Sequence, residues 1–140
     1  DKVKLLTVAV DRLRQWYKPG LLCIGDAAHA MSPIGGVGIN LAVQDAVATA
    51  NILAEPLRSG AVTLETLHAV QQRREFPTCF TQRLQIFIQN RIIGPALASQ
   101  GKRPHAPWFF KLLRLPLIRR IPGRVLALGV RPEHIRTPER

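Results

Sequence analysis

The stretch Gly25-Asp26-Ala27-Ala28-His29-Ala30-Met31-Ser32-Pro33-Ile34-Gly35-Gly36-Val37-Gly38-Ile39-Asn40 decides how the rest of the chain is read. Just before it lies Leu21-Leu22-Cys23-Ile24, a short continuous apolar run of the kind that forms a fully buried strand. The run ends at Gly25-Asp26, a glycine-rich loop follows, and from Gly38 the pattern turns helical. In open α/β sheets, ligands bind beyond the carboxyl ends of strands. Glycines let a ligand approach the backbone closely. A helix start presents unpaired N–H groups and a partial positive charge, which suits an anionic or electron-rich group. Asp26, an acceptor when ionised, suits a sugar-like hydroxyl.

The spacing names no finer ligand. Gly36 and Gly38 are followed by Leu41, so a G-x-G-x-x-G fingerprint fails, and no Gly-Lys-Ser/Thr completes a phosphate loop. No G-x-S-x-G nucleophile elbow is present.

Upstream, residues 3–10 are rich in β-branched and aliphatic side chains and predict a strand. Lys18-Pro19-Gly20 is a turn signal. Downstream, Asn40, Gln44, Asn51, Glu55 and Arg58 recur at helical spacing within an otherwise apolar or Ala-rich run from Ile39 to Leu57. That pattern predicts a helix buried on most of its surface with a narrow polar edge. Ser59-Gly60 stops it. Thr63 is an N-cap candidate for the next helix, with Glu65 in its first turn. Pro77 is expected to kink or break that helix. Phe80, Leu84, Phe87, Ile88 and Ile92 continue at helical spacing and read as core or interface packing, and Gly101 closes the region.

Residues 102–140 hold six of the eleven prolines. Short helical stretches are expected at 108–115 and 117–128. Ten Lys/Arg against Glu133 and Glu139 give residues 101–140 a charge of +8 out of the chain's +11. That basicity suits an anionic membrane surface or an acidic partner. The aromatic and basic run at 108–114 could lie on a membrane as an amphipathic segment or pack on another part of the protein. No recognised nucleic-acid module surrounds it, so no nucleic-acid partner is expected.

The composition bounds the rest. The chain has 140 residues, 46% hydrophobic and 21% charged, enough for one domain with a real core rather than a disordered chain or a rod. Apolar runs fall short of the roughly 18 residues of a membrane helix. No leader marks it for secretion. Residue 1 is Asp, which reads as a processed product or a piece of a longer protein. Cys23 and Cys79 do not make a disulfide framework and read as buried thiols in a reducing compartment. No zinc-type spacing occurs, so no metal is expected. His29 reads as packing under the loop or bonding backbone rather than as a catalytic base. Asp45 could face the polar edge or serve the site. No side chain stands out as a catalytic acid or base.

The run G-D-A-A-H, then P-x-x-G-x-G-x-N, then an Ala-rich helix with Asp45, resembles the second flavin-binding motif of the FAD-dependent aromatic hydroxylases, the flavoprotein monooxygenases of the para-hydroxybenzoate hydroxylase type. The likeness is dense over residues 13–54. Beyond residue 60 it is general, with Arg73-Arg74-Glu75-Phe76-Pro77 resembling the family's long helix. The resemblance implies that Asp26 bonds a ribityl hydroxyl of FAD, with Gly25 allowing close approach. It implies that Pro33 lines the reacting side of the flavin and that Gly36 and Gly38 form the loop against the ring. The backbone N–H groups of Ile39 and Asn40 would face the N1–C2=O edge.

The family's opening G-x-G-x-x-G and its middle Asp-Gly motif are not in this sequence, and its substrate-covering sheet is mostly missing. The resemblance therefore implies the C-terminal third of such an enzyme, holding half a cofactor site with weak FAD affinity alone or none. The fold expected is α/β in parentage, the C-terminal portion of a Rossmann-like FAD-binding domain, with this chain mostly α-helical and about two short strands. Residues 1–60 would complete the FAD-binding domain, 61–101 form a long kinked helix, and 102–140 a basic, Pro-broken helical tail. The parent would use NAD(P)H and oxygen to hydroxylate a small aromatic-like substrate. Its partners would be FAD, that substrate, and the missing N-terminal portion or a complementary chain. A cytoplasmic location follows, with peripheral membrane contact through the tail as an option. Flavin-dependent halogenases and prenyl-lipid reductases resemble the same loop and remain alternatives, as does a non-catalytic basic module binding membrane.

Overall fold

A computed structural model describes residues 9–95, 123–125 and 128–136. The expected strand at 3–10 and the expected helix at 108–115 lie largely or wholly outside them. So do most of the helix expected at 117–128 and the closing Gly101.

The chain first forms two small antiparallel pairs. β1 (Asp11–Arg12) pairs with β4 (His29–Ala30), Asp11 opposite Ala30 and Arg12 opposite His29. Between them, β2 (Tyr17–Lys18) and β3 (Leu21–Leu22) form a hairpin, Tyr17 opposite Leu22. Pro19 presets one turn residue, and Gly20 takes φ +75°, which a side chain would resist. The described residues thus hold four strands of two residues, where about two short strands are expected from sequence. The expected buried strand at 21–24 is corrected to this hairpin edge. Leu21 is 53% exposed, because the pairing ends after two residues and Cys23 N–H turns back to the Trp16 carbonyl at 2.7 Å.

Two helices carry most of the remaining described residues. α1 (Val37–Arg58) contains Pro56 near its end, which removes the helical bond to the Ile52 carbonyl without ending the helix. α2 (Leu64–Ile88) begins with a capping box between Thr63 and Thr66. A π-turn, Gln89–Ile93, extends it. α2 runs through Pro77 without the expected break. Pro77 removes one backbone bond, but α2 is pinned on both sides of it, by Gln71 and Arg74 before and by Gln82 and Gln85 after.

Those pins reverse the expected polarity of α2. Its buried positions include Gln71, Arg74, Thr78, Gln82 and Gln85, which repeat at helical spacing. Phe80 and Phe87, read from sequence as core or interface packing, are 39% and 47% exposed, and Phe76 is 61% exposed. The inner face is polar because it faces backbone. Gln71 accepts from Trp16 N–H and donates to the Arg14 carbonyl, both at 3.0 Å. Gln82 donates to the carbonyls of Asp11 (2.8 Å) and Ala30 (3.0 Å) and accepts from Arg12. Gln85 donates to the Ser32 carbonyl at 2.9 Å.

The apolar core lies at the other end, where Leu53 of α1 meets Leu67 and Val70 of α2, with Tyr17, Leu22 and Ile52 against them. α1 is less covered than its composition predicts. Ile39, Val43, Ala46, Ala50, Ala54 and Leu57 form an exposed apolar stripe along it. By length and composition alone α1 would also cross a membrane. Its buried Asp45, salt-bridged to α2, instead marks a helix packed within protein. Its polar edge has a specific use. Gln44 donates to the Leu128 carbonyl and Asn51 to the His134 carbonyl, so residues 128–136 lie as a strap along α1.

Candidate functional site

Asp45 is the centre of the site. Its side chain is wholly buried on α1 and receives three donors. Oδ2 accepts from His29 Nε2 at 2.6 Å and from Gly25 N–H at 3.1 Å. Oδ1 accepts from Arg74 Nε at 2.8 Å. Burial pushes the carboxyl pKa up. The hydrogen bonds from His29 and Arg74, the attraction of His29 and the Gly25 N–H together outweigh it and hold the group below its ordinary 3.8. The carboxylate is ionised and can only accept, so the proton in the short bond sits on His29 Nε2. His29 Nδ1 is buried and has no partner among the described residues. The imidazole packs against Trp16 with ring centroids 5.2 Å apart. It therefore packs under the loop, as the sequence predicts, but its bond is to Asp45.

This anchor sets the loop. Gly25 opens a 3-10 turn, Gly25–Ala27, with φ +57°. A Cβ there would lie 3.0 Å from Ala42 Cβ. The close approach that requires glycine at this position is to α1. Asp26, next in the turn, is exposed and lines an open cavity of about 180 Å³ with Asp11, Arg12 and the residues of β4. The turn is thus held from behind while its carboxylate faces outward.

The other predicted residues lie at the start of α1. Pro33 leads into a 3-10 turn, Ile34–Gly36. Gly35 and Gly36 take φ +80° and +62°, and nothing lies within 4 Å of a Cβ on Gly36. Gly36 is the N-cap of α1 and no side chain caps this end. Gly38 packs beside Met31, where a Cβ would come to 3.5 Å. Ile39 is 76% exposed. Asn40 borders a narrow cleft shared with α2, with Leu41, Gln44 and Leu84. The Gly25–Asp26 turn packs at Ala42, about one helical turn from Gly38. Both parts of the predicted site therefore sit at the same end of α1.

The charged groups behind the loop were the part not assigned from sequence. Arg74, wholly buried, also donates to the Arg131 carbonyl at 3.2 Å and to Gln44 Oε1 at 3.3 Å. Its NH1 lies 3.5 Å from Glu133. Glu133 makes a two-point bond with Arg73 at 2.6 and 3.2 Å. One acid inside an Ala-rich run and one Arg in step with Gln71 and Thr78 were the available signals.

The FAD binding domain family matches residues 1–83. A 6-methylpretetramide 4-monooxygenase from Streptomyces rimosus is 39% identical over 123 residues, 88% of this chain and 29% of that protein. The FAD-dependent monooxygenase idtM from Claviceps paspali is 38% identical over 74 residues, 47% of this chain and 15% of that protein. A 2-heptyl-3-hydroxy-4(1H)-quinolone synthase from Pseudomonas aeruginosa is 34% identical over 108 residues, 77% of this chain and 24% of that protein. The chain spans less than a third of the length of these relatives.

Proposed function

Because this chain belongs to the FAD-binding domain family of FAD-dependent monooxygenases, we propose that it holds the ribityl and isoalloxazine portions of FAD within a larger enzyme. That enzyme would use NAD(P)H and oxygen to hydroxylate an aromatic substrate. The observation that carries the reading is the loop at 25–40. Its first turn is anchored from behind by Asp45, and its acid, Asp26, points outward.

The residues present fit the cofactor. Gly36 leaves open space where any side chain would intrude, and the uncapped start of α1 presents N–H groups. Asp26 would accept from a ribityl hydroxyl, a charge-assisted bond. The N–H group of Ile39 would face the N1–C2=O edge, with Asn40 beside it, its own N–H bonded within α1 to the carbonyl of the N-cap Gly36. There a helix N-terminus stabilises negative charge by about 0.3–1 kcal/mol at a surface and up to about 2 when partly buried. Pro33 would border the reacting face. Bound FAD supplies the redox and oxygen chemistry, while these residues supply orientation and electrostatics.

We read the chain as the C-terminal portion of a Rossmann-like FAD-binding domain, completed by the rest of the protein or a complementary chain. The exposed apolar stripe of α1 supports that reading, since soluble domains rarely leave such a face open. Relatives named for a pretetramide and a quinolone support a ring-containing substrate. The two separate thiols fit a reducing compartment, and we propose a cytoplasmic location.

The test is FAD titration of the full-length parent and its Asp26→Ala variant, followed by flavin fluorescence. Loss of a charge-assisted bond of about 1.5–3 kcal/mol predicts at least a ten-fold weaker affinity. The proposal fails if the parent takes up no flavin, or if the variant binds as tightly.

A further inference from the structure

Four charged side chains form a continuous line from the strap to the flavin loop. Glu133 on the strap holds Arg73 by two bonds and lies 3.5 Å from Arg74 NH1. Arg74 Nε holds Asp45 Oδ1, and Asp45 Oδ2 holds Gly25 N–H. Two carboxylates balance two guanidiniums. The side chains of Asp45 and Arg74 have no exposed surface and Glu133 has 5%, so bulk water cannot substitute for a missing partner.

We propose that Glu133 is a positioning residue for the loop, acting through Arg74 and Asp45 on the backbone of Gly25. Its bearing on FAD rests on the function proposed above; the coupling of Glu133 to Gly25 does not.

The geometry gives the direction of the effect. The Arg74 guanidinium is held at both ends, by Asp45 at Nε and by Glu133 and the Arg131 carbonyl at NH1. Without the Glu133 charge, Arg73 and Arg74 become adjacent cations, and Asp45 is the anion that still holds Arg74. Their repulsion, with the pull of Glu133 gone, pushes the Arg74 head away from the strap and against Asp45. The Asp45 carboxylate, fixed in rotation by its bond to Arg74 Nε, then turns. Its other oxygen is the one that holds both Gly25 and His29. A turn of a few tenths of an ångström is enough to lengthen the 3.1 Å bond to Gly25 and shift Asp26.

The test uses the full 140-residue chain, labelled with 15N, and three variants: Glu133→Gln, Glu133→Asp and Asn51→Ala. Asn51→Ala removes the two bonds that tie the strap to α1 at His134 and Arg136, and it leaves every buried charge in place. It serves as the reporter if Glu133→Gln does not fold. The readouts are the Gly25 amide proton and the His29 Nε2 proton, both bonded to the same Asp45 oxygen. The Thr66 amide in the distant capping box is the control.

The expected result is an upfield shift and faster exchange at Gly25 and His29 in Glu133→Gln. The same direction is expected in Asn51→Ala, partial recovery in Glu133→Asp, and no change at Thr66. In the full-length parent, FAD affinity falls by about five-fold or more in Glu133→Gln, the scale of a usual site-to-site coupling. Unchanged Gly25 and His29 signals in the folded Glu133→Gln and Asn51→Ala variants overturn the coupling, whatever FAD does. Responsive signals in a protein that takes up no FAD leave the coupling standing and refute the flavin reading instead.

Discussion

Replacing Asp45 by Asn keeps the shape of the side chain and removes its charge. One carboxylate oxygen becomes an amide group that donates, at a place where Arg74, His29 and Gly25 all donate already. At least one of those donors loses its acceptor, and Arg74 is left as a buried cation. Removing one partner of a buried ion pair costs about 3–5 kcal/mol. Glu133, 3.5 Å from Arg74 NH1, offsets part of that, so we expect a loss near the lower end, about 3 kcal/mol. A domain has roughly 5–15 kcal/mol in all. At a urea slope of about 2 kcal/mol per M, the midpoint falls by about 1–2 M. Circular dichroism at 222 nm in a urea titration reads this, since most of the described residues are helical. The pH dependence supplies a second check. The Asp45 pKa is lower in the folded chain than its ordinary value. Its contribution is therefore complete above the unfolded pKa and lost as pH falls through the folded one. Wild type and Asp45→Asn should differ most near neutrality and converge in acid. A loss under about 1 kcal/mol at pH 7, or a difference that stays constant into acid, would refute the reasoning. The double variant with Arg74→Gln should lose less than the sum of the single losses, because the stranded cation is gone.

Gly25→Ala and Gly36→Ala separate strain from crowding. Both sites have positive φ, a backbone cost of about 1–2 kcal/mol, but only Gly25 also meets Ala42 at 3.0 Å. Thermal unfolding should show Gly25→Ala the less stable by about 1 kcal/mol or more, and equal losses would contradict the packing. Gln82→Met preserves bulk and strips the partners from the Asp11 and Ala30 carbonyls, so a loss of about 2 kcal/mol or more in urea unfolding is expected. Thr63→Ala removes half of the α2 capping box and should cost about 1 kcal/mol by the same assay, with the loop at 25–40 unaffected.

The sequence is most informative where local chemistry dominates. Lys18-Pro19-Gly20 is a turn, Thr63 is the N-cap, and the start of α1 falls within two residues of its expected place. The glycine loop is legible because positive φ and close approach demand glycine whatever surrounds it. What misleads is the assumption that apolar means inside. α2 carries phenylalanines outward and Gln71, Gln82 and Gln85 inward, because the elements they face present carbonyls rather than side chains. Periodicity reports which residues share a face, not which face is buried. Pro77 misleads for a related reason, since its cost is local while the bonds that keep α2 continuous come from residues distant in sequence. Asp45 is visible as an anomaly in an Ala-rich run, but its partner Arg74 is 29 positions away, and no local rule connects them.

The glutamines of α2 have a consequence for which substitutions the chain tolerates. Gln71, Gln82 and Gln85 recognise main-chain groups at Arg14, Trp16, Asp11, Ala30 and Ser32. Peptide groups are the same whatever side chain they carry. The strand and loop residues can therefore exchange side chains without disturbing these contacts, provided the backbone keeps its path. The helix has no such freedom, because each contact depends on one amide of one length. The two surfaces that meet here are thus unequal: one reads and the other is read, and only the reader is bound to a particular alphabet.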